Sequence, residues 1–471
     1  MAMAHVGVRR LTVLLGEWEV GGSTYRDLAE RIRLLIMDGR LPVGTRLPSE
    51  RELAGQLGKS RSTIVSAYNR LREDGYAVSR QGSGTVAALP SRGQPAAVLD
   101  FAHAVPPPIE GLGNKMRQVL EHVDRAIDGP GFDLLGDAGL RSRIAERYAR
   151  QGVPTSVDQV MITVGGQHAL SLVTRALSSR GERVLAESPS YPHAYEAIRA
   201  AGGQLVTTPV DRDGWDREHL LTAMERARPT LAYLVPDFQN PTGASMPGEL
   251  RSEVAVAARR TATTLVIDET TADLDIDRGW SDGPFARHGA ETGAEIVTVG
   301  SLGKSMWTGL RVGWIRAGTD IIDQLVRVRP SMDLGNPRLE QLVACELLDD
   351  FPALLGARRA QLRAGRDHLR RELQLKLPSW DVPTVAGGLS LWVGLGRPLS
   401  SSVALLCQSR GLVVSAGPRF TVDGSQERYL RLPFTMPAED LTAGVDVLRA
   451  AWSAIAEFSA TGYESEFHSV V

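Results

Sequence analysis

Lysine is rare in this sequence, so a lysine in an unusual setting indicates a need for a primary amine. Of 53 basic residues only four are lysines, namely Lys59, Lys115, Lys304 and Lys376. Arginine therefore serves wherever a positive charge is sufficient, whereas reaction with a carbonyl compound needs the amine that lysine supplies. Lys304 lies in the segment Thr298-Val-Gly-Ser-Leu-Gly-Lys-Ser-Met-Trp-Thr-Gly-Leu-Arg311, where hydroxyl groups, glycines and a cation surround it.

Three chemistries could use Lys304. Gly303-Lys304-Ser305 looks like the end of a nucleotide-binding P-loop, but that motif requires a glycine where this chain has Thr298. Ser301-x-x-Lys304 is the nucleophile pattern of penicillin-binding enzymes, but neither Ser-Asp-Asn nor Lys-Thr-Gly occurs. The third chemistry is a Schiff base with pyridoxal phosphate, which needs an amine, an anion for the ring nitrogen, and cations or hydroxyls for the phosphate. We favour the third, because the chain offers all of these groups.

Short β-rich runs alternate with helical stretches from about Gly113 onward, which predicts a three-layer α/β domain with its site at the carboxyl ends of the strands. The predicted strands are Gln159–Val164, Arg183–Glu187, Thr230–Val235, Thr264–Ile267 and Glu295–Val299. The first strand runs through Gly165 and Gly166 into a helix, and free N–H groups at such a helix start favour a phosphate.

Over residues 115 to 455 the chain resembles the fold-type I aminotransferases, which bind pyridoxal phosphate. The resemblance implies that Lys304 forms the Schiff base, that Asp268 pairs with the ring nitrogen, and that Arg431 binds the carboxylate of an amino acid. It places the phosphate near Ser301, Arg311, Gly166 and Gln167, the ring hydroxyl near Asn240, and the ring face on Tyr191.

The sequence departs from this family pattern at two positions. Thr271 stands three residues after Asp268, where relatives that catalyse usually have a tyrosine. Phe132 lies where the partner subunit commonly contributes a tyrosine to the phosphate. Both departures should weaken transamination more than cofactor binding, because Lys304, Asp268 and Arg311 are retained.

The first ninety residues predict three helices and a two-stranded wing. A helix over Tyr25–Asp38 ends at Gly39, a capping box at Ser49 and Glu52 begins a second helix, and a third begins at Ser60. The wing strands are Tyr76–Ser79 and Thr85-Val86. Residues 1–90 hold thirteen Lys and Arg against nine Asp and Glu, a balance that is compatible with DNA.

The run Pro42-Val-Gly-Thr-Arg-Leu-Pro-Ser-Glu-Arg-Glu-Leu-Ala54, followed by Leu57-Gly-Lys-Ser-Arg-Ser-Thr-Ile64, resembles the GntR-type winged helix. The resemblance implies that Arg51 and the start of the recognition helix, Ser60, Arg61, Ser62 and Thr63, face DNA, with Arg80, Gln81 and Gly82 contributed by the wing. Arg61 is the candidate for reading bases. The alternative is a three-helix interaction module with an exposed Arg61.

The domain organisation predicted from these patterns has four parts. Residues 1–87 form the DNA-binding domain, 88–113 a proline-rich linker without helix or strand periodicity, 114–460 the aminotransferase-like effector domain and 461–471 a mobile tail. Neither a signal peptide nor a membrane span is evident, and Cys345 and Cys407 lack disulfide or zinc spacing, so we expect a cytoplasmic protein.

This layout resembles the MocR regulators. It implies a homodimer, with or without exchange of the winged helices between subunits, that binds an operator in double-stranded DNA and responds to an amine, an amino acid or pyridoxal phosphate itself. Two alternatives stay open. One is a working aminotransferase with an accessory DNA-binding domain, which turnover would support, and the other is a cofactor-free DNA-binding scaffold, which a colourless protein would support.

Overall fold

The computed structural model describes residues 5–16, 18, 24–37, 40–80, 84–89, 99–122, 124 and 131–465. Its helices are α1 Val8–Leu15, α2 Thr24–Met37, α3 Glu50–Leu57, α4 Arg61–Glu73, α5 Leu112–Leu120, α6 Ala138–Arg150, α7 Gly166–Leu177, α8 Pro192–Ala200, α9 Arg217–Ala227, α10 Gly248–Thr261, α11 Ala286–Thr292, α12 Thr319–Val328, α13 Arg338–Asp349, α14 Phe351–Lys376, α15 Ser400–Gln408 and α16 Ala438–Ser465. Its strands are β1 Ala77–Arg80, β2 Gly84–Ala87, β3 Leu99–Phe101, β4 Val160–Thr163, β5 Arg183–Ser188, β6 Gln204–Asp211, β7 Gly214–Trp215, β8 Leu231–Leu234, β9 Thr264–Asp268, β10 Ile296–Ser301, β11 Gly313–Arg316, β12 Ser390–Gly394, β13 Leu412–Ala416 and β14 Tyr429–Pro433.

Local capping groups define the winged helix. The Ser49 hydroxyl accepts a hydrogen bond from the Glu52 amide at 3.3 Å, and the Glu52 carboxylate accepts one from the Ser49 amide at 3.0 Å, so the predicted capping box of α3 is confirmed. Ser60 caps α4, and β1 pairs antiparallel with β2 as the predicted wing. Helix α2 is also confirmed, whereas its predicted end at Gly39 lies outside the described residues.

Helix α1 was not predicted. It buries only Leu11 and Leu15 against the winged-helix core, and Gly16 ends it after eight residues. A helix of two turns with two buried residues gives too little periodicity to be recognised in the sequence.

The large domain is built on an eight-stranded sheet in the order β4-β11-β10-β9-β8-β5-β6-β7. Strands β10, β9, β8, β5 and β6 are parallel, whereas β11 is antiparallel to both of its neighbours. Along β9, Leu265 and Ile267 belong to one apolar cluster and Val266 to another, as expected for a strand covered by helices on both faces. The predicted three-layer α/β fold and its five predicted strands are confirmed.

A second sheet of four strands, in the order β12-β14-β13-β3, forms the small domain with α14, α15 and α16. The prediction that residues 88–113 lack regular structure is wrong for Leu99–Phe101, because β3 pairs parallel with β13 and Phe101 is fully buried, and for the last two residues, because α5 begins at Leu112. A three-residue strand that is stabilised by a distant partner leaves no periodic pattern in the sequence. The predicted start of the tail at residue 461 falls inside α16, which extends to Ser465.

None of the helices in the described ranges combines the length with the apolar composition needed to cross a bilayer.

Candidate cofactor and DNA-binding sites

One cavity of about 210 Å³ opens where the strands of the large sheet end. All of the predicted cofactor and effector residues line it: Gly166, Gln167, Tyr191, Asn240, Asp268, Ser301, Lys304, Arg311 and Arg431. The structure thus brings together residues that are spread over more than half of the sequence, although their individual roles stay predictions.

Lys304 follows β10 and is largely enclosed. Its Nζ donates a hydrogen bond to the main-chain carbonyl of Ala104 at 3.0 Å. Burial, together with the nearby positive charge of Arg431, lowers the pKa of Lys304 to about 8. A substantial fraction of this amine is therefore neutral near physiological pH and available as a nucleophile.

Asp268 is the last residue of β9 and is held by two donors. Its Oδ2 accepts a hydrogen bond from the Tyr233 hydroxyl at 2.7 Å, and its Oδ1 accepts one from the Thr270 amide at 2.9 Å. Burial and the Asp268 carboxylate raise the pKa of Tyr233 well above its ordinary value, so this hydroxyl keeps its proton and acts as a donor. The Thr271 hydroxyl donates instead to the carbonyl of Asp237 at 2.8 Å.

The start of α7 has the features expected of a cradle for an anion. The first N–H groups of a helix have no partner inside the helix and carry the positive end of its dipole. A Cβ on Gly165 would lie 3.3 Å from the Arg311 guanidinium, and a Cβ on Gly166 would lie 2.8 Å from Thr270 Cγ2. Gly165 also has a φ of +81°. Glycine at both positions therefore keeps the helix start open next to a cation.

Ser301 and Arg311 lie at the rim of this cradle. The Ser301 hydroxyl donates to the Val312 carbonyl at 3.2 Å and accepts from the Gly303 amide at 3.0 Å. Arg311 has a φ of +53°, and its guanidinium donates to the Val164 carbonyl at 2.8 Å. These bonds fix a hydroxyl and a positive charge beside the free N–H groups of α7.

Arg431 lies on β14 with only 8% of its surface exposed. Its guanidinium donates to the carbonyl of Ala102, while its Nε is buried without an acceptor in the part of the chain that the structure describes. Burial and the charge of Arg419 lower the pKa of Arg431 to about 10. A buried guanidinium with one unpaired N–H beside a cavity favours an anionic ligand there.

Three contributors to the cavity were missed by the sequence analysis. Tyr233 orients Asp268, Ala104 binds Lys304 through its main chain, and Gln239 donates to the Glu187 carboxylate at 3.1 Å beneath the cavity. Burial raises the pKa of Glu187 to about 7. Gln239 could have been suspected from its position before Asn240, but nothing in the sequence marks a main-chain contact such as that of Ala104.

A second candidate site lies on the winged helix. Arg51, Ser60, Arg61 and Ser62 are exposed, and Thr63 is half-buried. The Ser60 hydroxyl lies 2.8 Å from that of Ser62 and 2.7 Å from that of Thr63, so these three hydroxyls already bond to one another. Gln81, Gly82 and the side chain of Arg80 lie outside the described residues.

Arg46 was not predicted as part of this surface. It is exposed, and its guanidinium lies 3.6 Å from the position that a Cβ on Gly84 of the wing would take. Arg72 fixes the wing to α4, since it donates to the Thr85 hydroxyl at 3.0 Å. A basic residue therefore stands at the base of the wing in a position that the fold holds in place.

Each half of the chain matches a known protein family. Residues 24–86 match the gntR family of bacterial regulatory proteins, and residues 113–448 match aminotransferase class I and II. An uncharacterized HTH-type transcriptional regulator of Bacillus subtilis, YdfD, is 26% identical over 89% of this chain and 94% of its own length. The probable rhizopine catabolism regulatory protein MocR of Rhizobium meliloti is 30% identical over 64% of this chain and 67% of its own length.

Among solved structures, the α-aminoadipate aminotransferase LysN of Thermus thermophilus, in complex with N-(5'-phosphopyridoxyl)-L-leucine, matches with a TM-score of 0.70 and 27% identity. The match covers 77% of this chain and 93% of that one. The enzyme-like fold thus occurs here behind a DNA-binding domain, as it does in HTH-type regulators that match nearly the full chain. The chain belongs to the MocR-like transcription regulators, in which a gntR-family DNA-binding domain is fused to an aminotransferase class I and II domain.

Proposed function

We propose that this regulator binds pyridoxal phosphate at Lys304 and that an amino acid bound at the same site changes its affinity for DNA. The observation that carries the proposal is the cavity itself, in which a lysine with a pKa of about 8, an anchored carboxylate and an anion cradle face one another. The cofactor, when bound, supplies a carbonyl that reacts with amines and a ring that withdraws electrons. Ligand and DNA are coupled only insofar as the ligand prefers one arrangement of the protein.

The residues present fit this cofactor. Lys304 offers the amine, and the α7 N-terminus with Ser301 and Arg311 would hold the phosphate. Asp268, which Tyr233 keeps in place, would pair with the ring nitrogen and keep it protonated. Asn240 and Tyr191 also line the cavity and would contact the ring hydroxyl and the ring face.

The charges around the cavity favour an amino acid over a simple amine as the effector. Among the described lining residues the cations are Lys304, Arg311 and Arg431, and the only carboxylate is Asp268. The cofactor would engage Lys304, Arg311 and Asp268. Arg431 then remains, and its Nε, which has no acceptor among the described residues, can bind one carboxylate. The rest of the wall is uncharged and includes Ala104, Phe238, Leu389 and Ser390. We therefore propose an effector with one carboxylate and an uncharged side chain.

The proposal includes a cytoplasmic homodimer that binds paired half-sites in DNA, with or without exchange of the winged helices between its subunits. Phe132, Met332 and Leu334 support it, because they expose apolar side chains on two adjoining loops, where a Cβ on Gly335 would lie 2.4 Å from the Asp133 carbonyl oxygen. Arg51, Arg61 and the neighbouring hydroxyls at the start of α4 would face the DNA, together with Arg46 and the wing. We propose residues 1–87 and about 99–460 as the two domains.

Residual transamination is a second candidate activity. The low pKa of Lys304 favours it, because a partly neutral amine can accept a proton. Thr271 opposes it, because its hydroxyl donates to the Asp237 carbonyl and is not free to contact the cofactor ring. We therefore expect transamination to be slow even though the cofactor binds.

The test of the proposed function is the absorbance spectrum of the purified protein with and without added pyridoxal phosphate, measured beside its binding to DNA. Wild type is expected to show a visible band that Lys304→Ala lacks. Lys115→Ala is the matched control, because Lys115 pairs with Asp350 on the surface, away from the cavity. A wild type that stays colourless with added cofactor would leave only the DNA-binding half of the proposal.

The rate of cofactor binding is expected to depend on pH through Lys304. Because the pKa of Lys304 is lowered to about 8, the neutral amine is depleted below that pH and predominates above it. The rate constant should therefore rise roughly tenfold per pH unit below the midpoint and level off above it. Stopped-flow absorbance from about pH 7 to 10, where the cofactor phosphate stays fully ionised, measures this.

Arg431→Gln supplies the internal check on this pH profile. Because the charge of Arg431 contributes to the low pKa of Lys304, removing it should move the midpoint to higher pH. A wild-type midpoint near the ordinary lysine value of about 10.4 would contradict the electrostatic account of the site.

A further inference from the structure

We propose that residues 99–108, which we name the strap, transmit the state of the cavity to the winged helix. The inference rests on the proposed function, since it describes how occupancy of the same site is communicated. The strap begins with β3 and runs past the cavity towards α5. In the sequence it lies between the wing strand β2 and helix α5.

Two of the three cations that line the cavity donate to main-chain carbonyls of the strap. Lys304 Nζ donates to Ala104, and the Arg431 guanidinium donates to Ala102. The Ser415 hydroxyl is a weaker third donor, at 3.4 Å from the Ala102 carbonyl. The strap therefore occupies the two side chains that the cofactor and an amino-acid carboxylate would need.

The strap is fixed at both ends by contacts that do not involve the cavity, whereas its middle is held by the donors at Ala102 and Ala104. At one end β3 pairs with β13, and the fully buried Phe101 packs so tightly that a Cβ on Gly444 would lie 2.2 Å from its ring. At the other end Arg358 donates to the Pro107 carbonyl at 2.7 Å. Between these ends Val105 is 39% exposed. A change at the cavity would thus move residues 102–106 and leave the two ends of the strap in place.

The other side of the strap faces helix α2 of the winged helix. Leu34 of α2 belongs to the same apolar cluster as Phe101 and Ala104. A cavity of about 250 Å³ lies between Leu34 and Met37 on one side and Ala102 and His103 on the other, which leaves room for the strap to move.

An ion pair holds α2 on the small domain beside this cavity. The buried Arg31 pairs with Glu427, which also accepts hydrogen bonds from Ser400 and Ser401. Arg31 donates in addition to the Leu15 carbonyl of α1 at 2.7 Å. Because α2 packs against the recognition helix α4, a shift of the strap reaches the DNA-reading surface through one intervening helix.

The direction of the effect follows from the donors that the strap loses. When Lys304 bonds to the cofactor, Ala104 loses its ammonium donor, and a carboxylate on Arg431 competes with Ala102 for the guanidinium. A buried carbonyl without a donor is unfavourable, so the middle of the strap shifts to find another partner. Coupling of this kind is reciprocal, and DNA must change cofactor affinity by the same factor as the cofactor changes DNA affinity.

The test is hydrogen exchange by mass spectrometry on the full-length protein, with pyridoxal phosphate alone as the probe. In wild type and Lys115→Ala, the cofactor should speed exchange of peptides over 99–109 by about fivefold to tenfold, as expected for an opening equilibrium that loses one hydrogen bond. The exchange rate of peptides over α2 should change as well when the cofactor binds. In Lys304→Ala the strap should exchange fast without cofactor and should not respond to it.

Leu34→Ala should separate the strap from the winged helix without changing any residue that lines the cofactor cavity. This variant should keep the visible band and the response of the strap, but α2 should no longer respond and the cofactor should no longer change DNA affinity. A visible band with unchanged exchange of the strap in wild type would overturn the inference alone. A colourless wild type would overturn the proposed function and the inference with it.

Discussion

Replacing Arg431 with glutamine is expected to weaken amino-acid binding while leaving the cofactor in place. Arg431 is buried, and its Nε has no acceptor among the described residues, so a bound carboxylate would find a buried charged donor with an N–H to offer. Removing one partner of a buried charge pair costs about 2–5 kcal/mol, or roughly 30-fold to several thousand-fold in affinity. The cofactor should still bind, because Lys304, Asp268 and Arg311 are unchanged.

The measurement is a spectral titration of the cofactor-loaded protein with L-amino acids and with the amines that lack their carboxylate. Wild type should bind the amino acid more tightly than the matching amine, and Arg431→Gln should bind both weakly. Arg428→Gln is the matched control, because Arg428 precedes the same strand, is exposed and donates only to the Gly396 carbonyl among the described residues. Equal affinities for acid and amine in wild type would show that Arg431 does not bind the carboxylate.

Arg431→Lys distinguishes charge from geometry. Lysine keeps the positive charge but lacks the planar guanidinium that bonds to both oxygens of a carboxylate. The affinity of Arg431→Lys for the amino acid should therefore fall between those of wild type and Arg431→Gln. If lysine restores wild-type affinity, the contact is a simple attraction between charges.

The predicted site residues could be found from the sequence because their chemistry depends on side-chain identity. Lys304 stands out in a chain with four lysines, and Asp268 ends a recognisable strand. The resemblance supplied the rest, and the fold then gathers these residues at one edge of the large sheet. Position at a strand end is a property that sequence patterns report well.

The parts that were missed act through the main chain or through distant pairing. Ala102 and Ala104 bind the two cations with their carbonyls, which every residue has, so no residue type marks them. Strand β3 exists because β13 lies beside it, and the sequence around Leu99 contains only three residues of strand. The segment that looked like a free linker is for this reason partly built into the small domain.

Substitution of Arg61 is expected to produce the largest loss on the DNA side. Arg61 is exposed at the first turn of α4, and its side chain makes no hydrogen bond or ion pair with the described part of the chain. The adjoining hydroxyls of Ser60, Ser62 and Thr63 bond to one another, which leaves Arg61 as the side chain most able to reach a base. A bidentate contact to guanine contributes about 1–3 kcal/mol, so Arg61→Ala should weaken specific binding roughly 5-fold to 150-fold.

The measurement is fluorescence anisotropy on DNA that wild type selects from a random pool, compared with scrambled DNA over a range of salt concentrations. Arg70→Ala is the matched control, because Arg70 is on the same helix but pairs with Asp74 at 3.0 Å near its far end. For Arg61→Ala, affinity for the selected DNA should fall far more than affinity for scrambled DNA. Arg61→Lys should keep the salt dependence of wild type and lose its discrimination, since lysine retains the charge without the paired donors. An equal loss on both DNAs, with the salt slope reduced by about one, would instead assign Arg61 to a phosphate.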